Sequence, residues 1–139
     1  MSAVTMLSET ETAGDIQQFF EAFCTGFGEF DGAFLAQLYA VPYTSLNADG
    51  TLQVFGTKEQ IGQYFHGLLN KYREQGCCSC RFKELQVVLL GQKSALASVT
   101  WELLRKDRSV ASSWRESYNL TSASGEFRIY ASTDHVEIE

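Results

Sequence analysis

From residue 16 onward, apolar positions recur at spacings of three and four. Ile16, Phe19, Phe20, Phe23, Cys24 and Phe27 form one helical stripe, unusually rich in rings. Asp15 is the expected cap of this helix, and Gly26 and Gly28 are its expected stop. A second, shorter helix is predicted from about Asp31, with Phe34, Leu35, Leu38 and Tyr39 as its buried face and Pro42 ending it. A third opens at Thr57, with Gln60 three residues on as the capping-box partner. Ile61, Tyr64, Phe65, Leu68, Leu69 and Tyr72 make its apolar face, and Gly76 is placed to close it.

Elsewhere the period changes from helical to alternating. Two short strands are expected over 43–46 and 51–55, joined by Asn47-Ala48-Asp49-Gly50, whose Asp-Gly pair suits a hairpin. After Gly76 every segment reads as strand: 81–90, 94–104, 110–121 and 126–138, with tight turns between them. Four consecutive strands with short connections predict an antiparallel meander. Three helices ahead of a sheet predict an α+β domain with the helices on one face of the sheet. Residues 1–13, rich in Ser, Thr, Glu and Ala, are expected to be a flexible arm before a single domain over 14–139. A chain of 139 residues buries roughly two-thirds of its unfolded surface, which is enough for a core without disulfide staples.

This order resembles the nuclear transport factor 2-like superfamily, which includes SnoaL-like and steroid isomerase-like proteins. The residues carrying the resemblance are Phe34-Leu35-Ala36-Gln37-Leu38-Tyr39-Ala40, the hairpin ending in Asn47-Ala48-Asp49-Gly50, Gly56-Thr57-Lys58-Glu59-Gln60-Ile61, and Ser124-Gly125-Glu126-Phe127-Arg128-Ile129. It covers roughly residues 14 to 137. It implies a strongly curved, mainly antiparallel sheet wrapped around the three helices as a cone-shaped α+β barrel, with a cavity inside. These motifs are helix ends, turns and core positions, so they specify fold and leave chemistry open.

The charge balance narrows the partners. Eleven Lys and Arg against 17 Asp and Glu give a net charge of -6, which disfavours binding to a phosphate backbone. Arg105, Lys106 and Arg108 form the densest basic group and flank a turn, as a solvated hairpin tip does. No segment approaches the roughly 20 apolar residues of a membrane span, and no signal peptide is evident, so the expected compartment is the cytoplasm. Four cysteines include the pair Cys77 and Cys80 at C-x-x-C spacing. With only His66 and His135 available and no second cysteine pair, no metal site is expected, and no cofactor motif is present. The pair also follows a helix instead of opening one, so redox activation of a thiolate is not indicated.

Strand alternation nominates the site residues. On the third long strand Trp114, Glu116, Tyr118 and Leu120 share a face, opposite Arg115, Ser117 and Asn119. Three of the first four are large and apolar or aromatic, so that face is expected inside. Glu116 is then either a pocket acid or base with a raised pKa, or a structural carboxylate paired with an arginine across the sheet. On the second long strand Ala95, Ala97, Val99, Trp101 and Leu103 share the inner face. On the last, Phe127, Ile129, Ala131, Thr133 and His135 are expected on one side, with Arg128, Tyr130, Ser132 and Asp134 on the other.

The candidate catalytic residues are therefore Glu116, Asp134 and His135. The candidate ligand-binding residues are Phe19, Phe23, Tyr39, Tyr43, Tyr64, Trp101, Trp114 and Tyr118, whose apolar bodies and polar tips suit a pocket wall. A steroid isomerase-like reaction, which the resemblance brings into question, needs a strand-end carboxylate, a first-helix tyrosine and a protonated aspartate on a long strand. Here the strand end is Asn47, the first tyrosine is Tyr39, and no aspartate lies between Phe82 and Lys106, so all three parts are missing. Three readings remain: a pocket for a small, mostly apolar molecule; a cyclase, isomerase or hydrolase using another pocket acid or base; and an interaction domain that forms a homodimer through its sheet.

Overall fold

In a computed structural model of the chain, the backbone is described for residues 2–135 and the side chains for residues 11–135. The elements in order are α1 (Ser2–Gly28), α2 (Gly32–Ala36), β1 (Tyr39–Leu46), β2 (Leu52–Phe55), α3 (Lys58–Glu74), β3 (Cys77–Gly91), β4 (Ser94–Arg105), β5 (Val110–Thr121) and β6 (Arg128–Asp134). All six strands join one sheet in the order β2-β1-β6-β5-β4-β3. The meander of the four long strands is present, and every pairing is antiparallel except β1 with β6. Strands β2 and β3 are free edges, so the sheet is curved around the helices but open instead of closing as a barrel.

Three local expectations are revised. The first helix starts at Ser2, so Asp15 lies inside it and caps nothing, and residues 2–13 carry helical backbone where an arm was expected. The second helix is only five residues long and ends at Ala36, well before Pro42. Leu38 O accepts from Ile129 N at 2.9 Å, so pairing with the last strand captures the chain before a second helical turn can continue. Tyr39 and Pro42 therefore stand in strand β1. The last strand is described only to Asp134, and its expected continuation over 136–138 lies outside the described residues.

Side chains cap the starts of α2 and α3. Asp31 accepts from Phe34 N at 3.0 Å to open α2. Thr57 and Gln60 form the reciprocal capping box of α3. Gly32 is required by contact: a Cβ there would sit 3.0 Å from Gly62 O and His66 N, so α2 rests directly on the backbone of α3.

The core lies between the helices and the concave face of the sheet. From α1 it takes Ile16, Phe19, Phe20, Phe23 and Phe27; from α3, Ile61, Phe65 and Leu69. Opposite them stand Ala95, Ala97, Val99, Trp101 and Leu103 of β4, as alternation predicts. Small Ala95 and Ala97 leave room for the rings of α1. Phe20 lies 5.9 Å from Trp101 and 5.4 Å from Tyr118 between ring centres, and Phe23 lies 5.1 Å from Trp101. Burying each such ring contributes about 1.5–3 kcal/mol, which is what holds the helical half in the sheet.

Candidate functional site

The rings do not fill the concave face. A cavity of about 300 Å³ remains beside Trp101, at the small end of the range for ligand sites. Phe23 and Phe27 of α1 and Tyr64, Phe65, Leu68 and Tyr72 of α3 form one wall. Tyr39, Tyr43 and Ser45 of β1, with Asn47 and Ala48 of the hairpin, form another. The sheet supplies Cys80, Trp101, Leu103, Trp114, Glu116 and Tyr118, and Asp134 and His135 complete the lining.

Strand β5 sets the chemistry of this space. Its inward parity brings Trp114, Glu116 and Tyr118 to the cavity in succession. The Trp114 indole donates from Nε1 to Glu116 Oε1 at 2.9 Å. Trp101 Nε1 donates to the Tyr118 hydroxyl at 2.7 Å. Burial, followed by the neighbouring Asp134 charge, pushes the Glu116 carboxyl up to about 8. Glu116 is thus protonated over much of the neutral range, with Asp134 its cross-strand neighbour.

Asp134 reaches this position through an irregularity. Glu116 pairs with Asp134, Tyr118 with Ser132 and Asn119 with Ala131, but Leu120 pairs with Ile129. Tyr130 is therefore a bulge. The extra residue reverses the parity of everything beyond it, so Ile129, Ser132 and Asp134 all belong to the concave side. The expected grouping of His135, Thr133 and Ala131 with Ile129 is corrected accordingly. Ser132 is buried and hydrogen-bonded to the Tyr43 hydroxyl. His135 stands at the rim; its ring bonds Ser117 Oγ at 2.7 Å, and Ser117 belongs to the outer face. It does not meet the Glu116–Asp134 pair through any described hydrogen bond.

Of the candidate wall residues, Phe23, Tyr39, Tyr43, Tyr64, Trp101, Trp114 and Tyr118 line the cavity. Phe19 does not: it is buried edge-on against Phe20, with ring centres 5.3 Å apart. Burial raises Tyr39, Tyr43 and Tyr118 above the ordinary phenol range and pushes Tyr72 up to about 12, so these hydroxyls are neutral. Sequence reasoning did not nominate Phe65, Leu68 and Tyr72 for the wall, although the apolar face of the third helix already contained them. Asn47 lies at the mouth and donates to Thr51 Oγ1 at 3.0 Å, so the strand-end position holds an amide, not a base.

The C-x-x-C pair lies on β3, where it cannot draw on a helix N-terminus. Cys80 lines the cavity; a hydrogen bond with Cys24 of α1, and then burial, push its thiol up. Among the described residues no group of three or more His, Cys, Asp or Glu is arranged to hold a metal ion. No helix among them is long and apolar enough to cross a membrane.

Comparison with known proteins places this architecture. An NTF2-like protein with a cystatin-like fold from Novosphingobium aromaticivorans superposes with a TM-score of 0.78 at 12% identity, over 96% of this chain and 87% of that one. Aln2 from a Streptomyces species gives 0.73 at 15% identity, over 90% of each chain. A putative calcium/calmodulin dependent protein kinase II association domain from Xanthomonas campestris gives 0.62 at 21% identity, over 93% and 87%. At these identities the likeness is one of fold alone. No curated protein matches the sequence. Residues 10–137 match the family model described as NTF2-like protein (DUF6841), and the chain belongs to that family.

Proposed function

We propose that the chain binds a small, mostly apolar molecule in the cavity, with one polar group of the ligand held by Glu116 and Asp134. The observation carrying this reading is the composition of the cavity wall: mostly aromatic and aliphatic side chains, with the neighbouring carboxyl groups of Glu116 and Asp134 on one side. Ligand sites are built this way, with apolar surface for affinity and a few polar groups for orientation. Both tryptophans line the space, so binding has an optical readout. Titrating 1-naphthylmethanol while following tryptophan fluorescence should give saturable quenching at one site per chain and a raised melting temperature. Quenching that stays linear to millimolar concentration, with no thermal shift, would refute the reading.

A second reading, acid–base catalysis, is favoured by the state of the pair. At pH 7 Glu116 holds a proton it can donate, and the Asp134 carboxylate beside it can accept one. A bound ketone would then enolise: Glu116 protonates the carbonyl oxygen while a carboxylate removes an α-proton. For 2-tetralone in deuterated buffer, we expect α-deuterium uptake about a hundredfold faster than with Glu116→Gln protein. Equal rates would remove catalysis and leave binding standing.

A further inference from the structure

Two carboxyl groups, those of Glu116 and Asp134, line the cavity, and the one basic side chain of the lining, His135, is turned at the rim to Ser117 Oγ at 2.7 Å. All eleven Lys and Arg lie among the described residues, and none lines the space. Several of them are engaged elsewhere: Arg81 and Lys83 with Glu102, Arg128 with Glu126, Arg73 over the Phe30 ring at 4.0 Å. Arg115 is turned to the outer face, bonded to Glu84 O at 3.1 Å and Gln86 Oε1 at 2.9 Å. Glu116 and Asp134 therefore face the cavity with no Lys or Arg side chain beside them in its wall. The surrounding hydroxyls and the Cys80 thiol are neutral and add no positive charge.

The rest of the wall is of the kind that attracts cations. Tyr39 and Tyr43 stand edge to face with centres 4.7 Å apart, as do Tyr64 and Phe65 at 5.5 Å, while Phe23 and Trp101 are tilted at 35° with centres 5.1 Å apart. A ring face is the negative end of its quadrupole, and an ammonium within about 6 Å of it is stabilised, more so where water is excluded. A wall of rings closed by two carboxyl groups rejects carboxylates and phosphates, tolerates a neutral hydroxyl, and favours an organic cation.

We infer that the occupant carries a protonated amine: a compact apolar body with one ammonium group seated against Asp134 and Glu116. This rests on the reading of the cavity as a binding site and adds the charge of the ligand to it. The ammonium supplies the counter-ion that the chain withholds. Three probes with one ring system separate the charge states: 1-naphthylmethylamine, 1-naphthylmethanol and 1-naphthaleneacetic acid. At pH 7 and low salt the amine should bind about tenfold tighter than the alcohol, and the acid weakest of the three. Asp134→Asn should erase the preference for the amine, with far-UV circular dichroism and the melting temperature reporting that the variant is folded. Alcohol binding equal to or tighter than amine binding in the unaltered protein overturns the inference and leaves the binding site intact. Failure of all three probes overturns both. If the preference persists in Asp134→Asn, the charge assignment is wrong.

Discussion

Glu102 and Glu116 stand on neighbouring strands of one sheet, on opposite faces, and the sheet treats them differently. Glu102, on the outer face of β4, is only 9% exposed. Yet its carboxyl is held below the usual range, chiefly by the hydrogen bond from Arg81 Nε at 2.8 Å, with Lys83 Nζ at 3.6 Å. The stems of those two cations cover it, not the core. Glu116, on the concave face, retains more accessible surface, but that surface borders the cavity. It has an indole, a phenol and another carboxyl for neighbours, and its pKa rises to about 8. Exposed area therefore does not decide ionisation. What decides it is whether cations or rings provide the cover.

The largest expected effect tests the concave member. Glu116 has a folded pKa of about 8 against an ordinary value of 4.5, so the fold favours its protonated form. That stabilisation is complete below about pH 4.5 and is lost as pH rises to about 8. Urea unfolding across this window should show the wild type losing stability relative to Glu116→Gln, by no more than about 5 kcal/mol. Parallel curves for the two proteins would break the comparison. Next, Trp114→Phe removes the N–H that Glu116 accepts. It should lower stability by about 1–2 kcal/mol and move the Glu116 midpoint higher, because that bond favours the ionised form. Asp134→Asn removes a like charge, so the midpoint should fall but stay above 4.5, since burial is the larger cause. The smallest effect lies on the outer face. Arg81→Met should raise the Glu102 midpoint and lower the urea midpoint slightly, with the loss shrinking at high salt.

The sheet and most of its inward residues were legible because alternation is a local rule. Trp101 follows Val99, and Tyr118 follows Glu116, two residues apart on unbroken strands. The capping box at Thr57 and the aromatic stripe of α1 were equally local. The bulge at Tyr130 was not. It arises because β6 must pair with β5 on one side and β1 on the other, and only the three-strand assembly fixes where the extra residue goes. Asp134 was thus nominated by its chemistry but assigned to the wrong parity. The second helix failed similarly: Leu38 and Tyr39 fit a helical face, and only the hydrogen bond from Ile129, 91 residues later in the chain, draws them into the sheet. The cavity itself depends on the space left between side chains, which no pattern of apolar positions encodes.

The central claim is that the carboxyl group of Glu116 is enclosed and protonated at neutral pH. It is tested most directly by the carboxyl-carbon NMR shift of glutamate-labelled protein, with the resonance assigned by its loss in Glu116→Gln. A titration midpoint near 8 is expected, far from the other glutamates. A midpoint near 4.5 would place the group in water or beside an unseen cation, and would contradict the account.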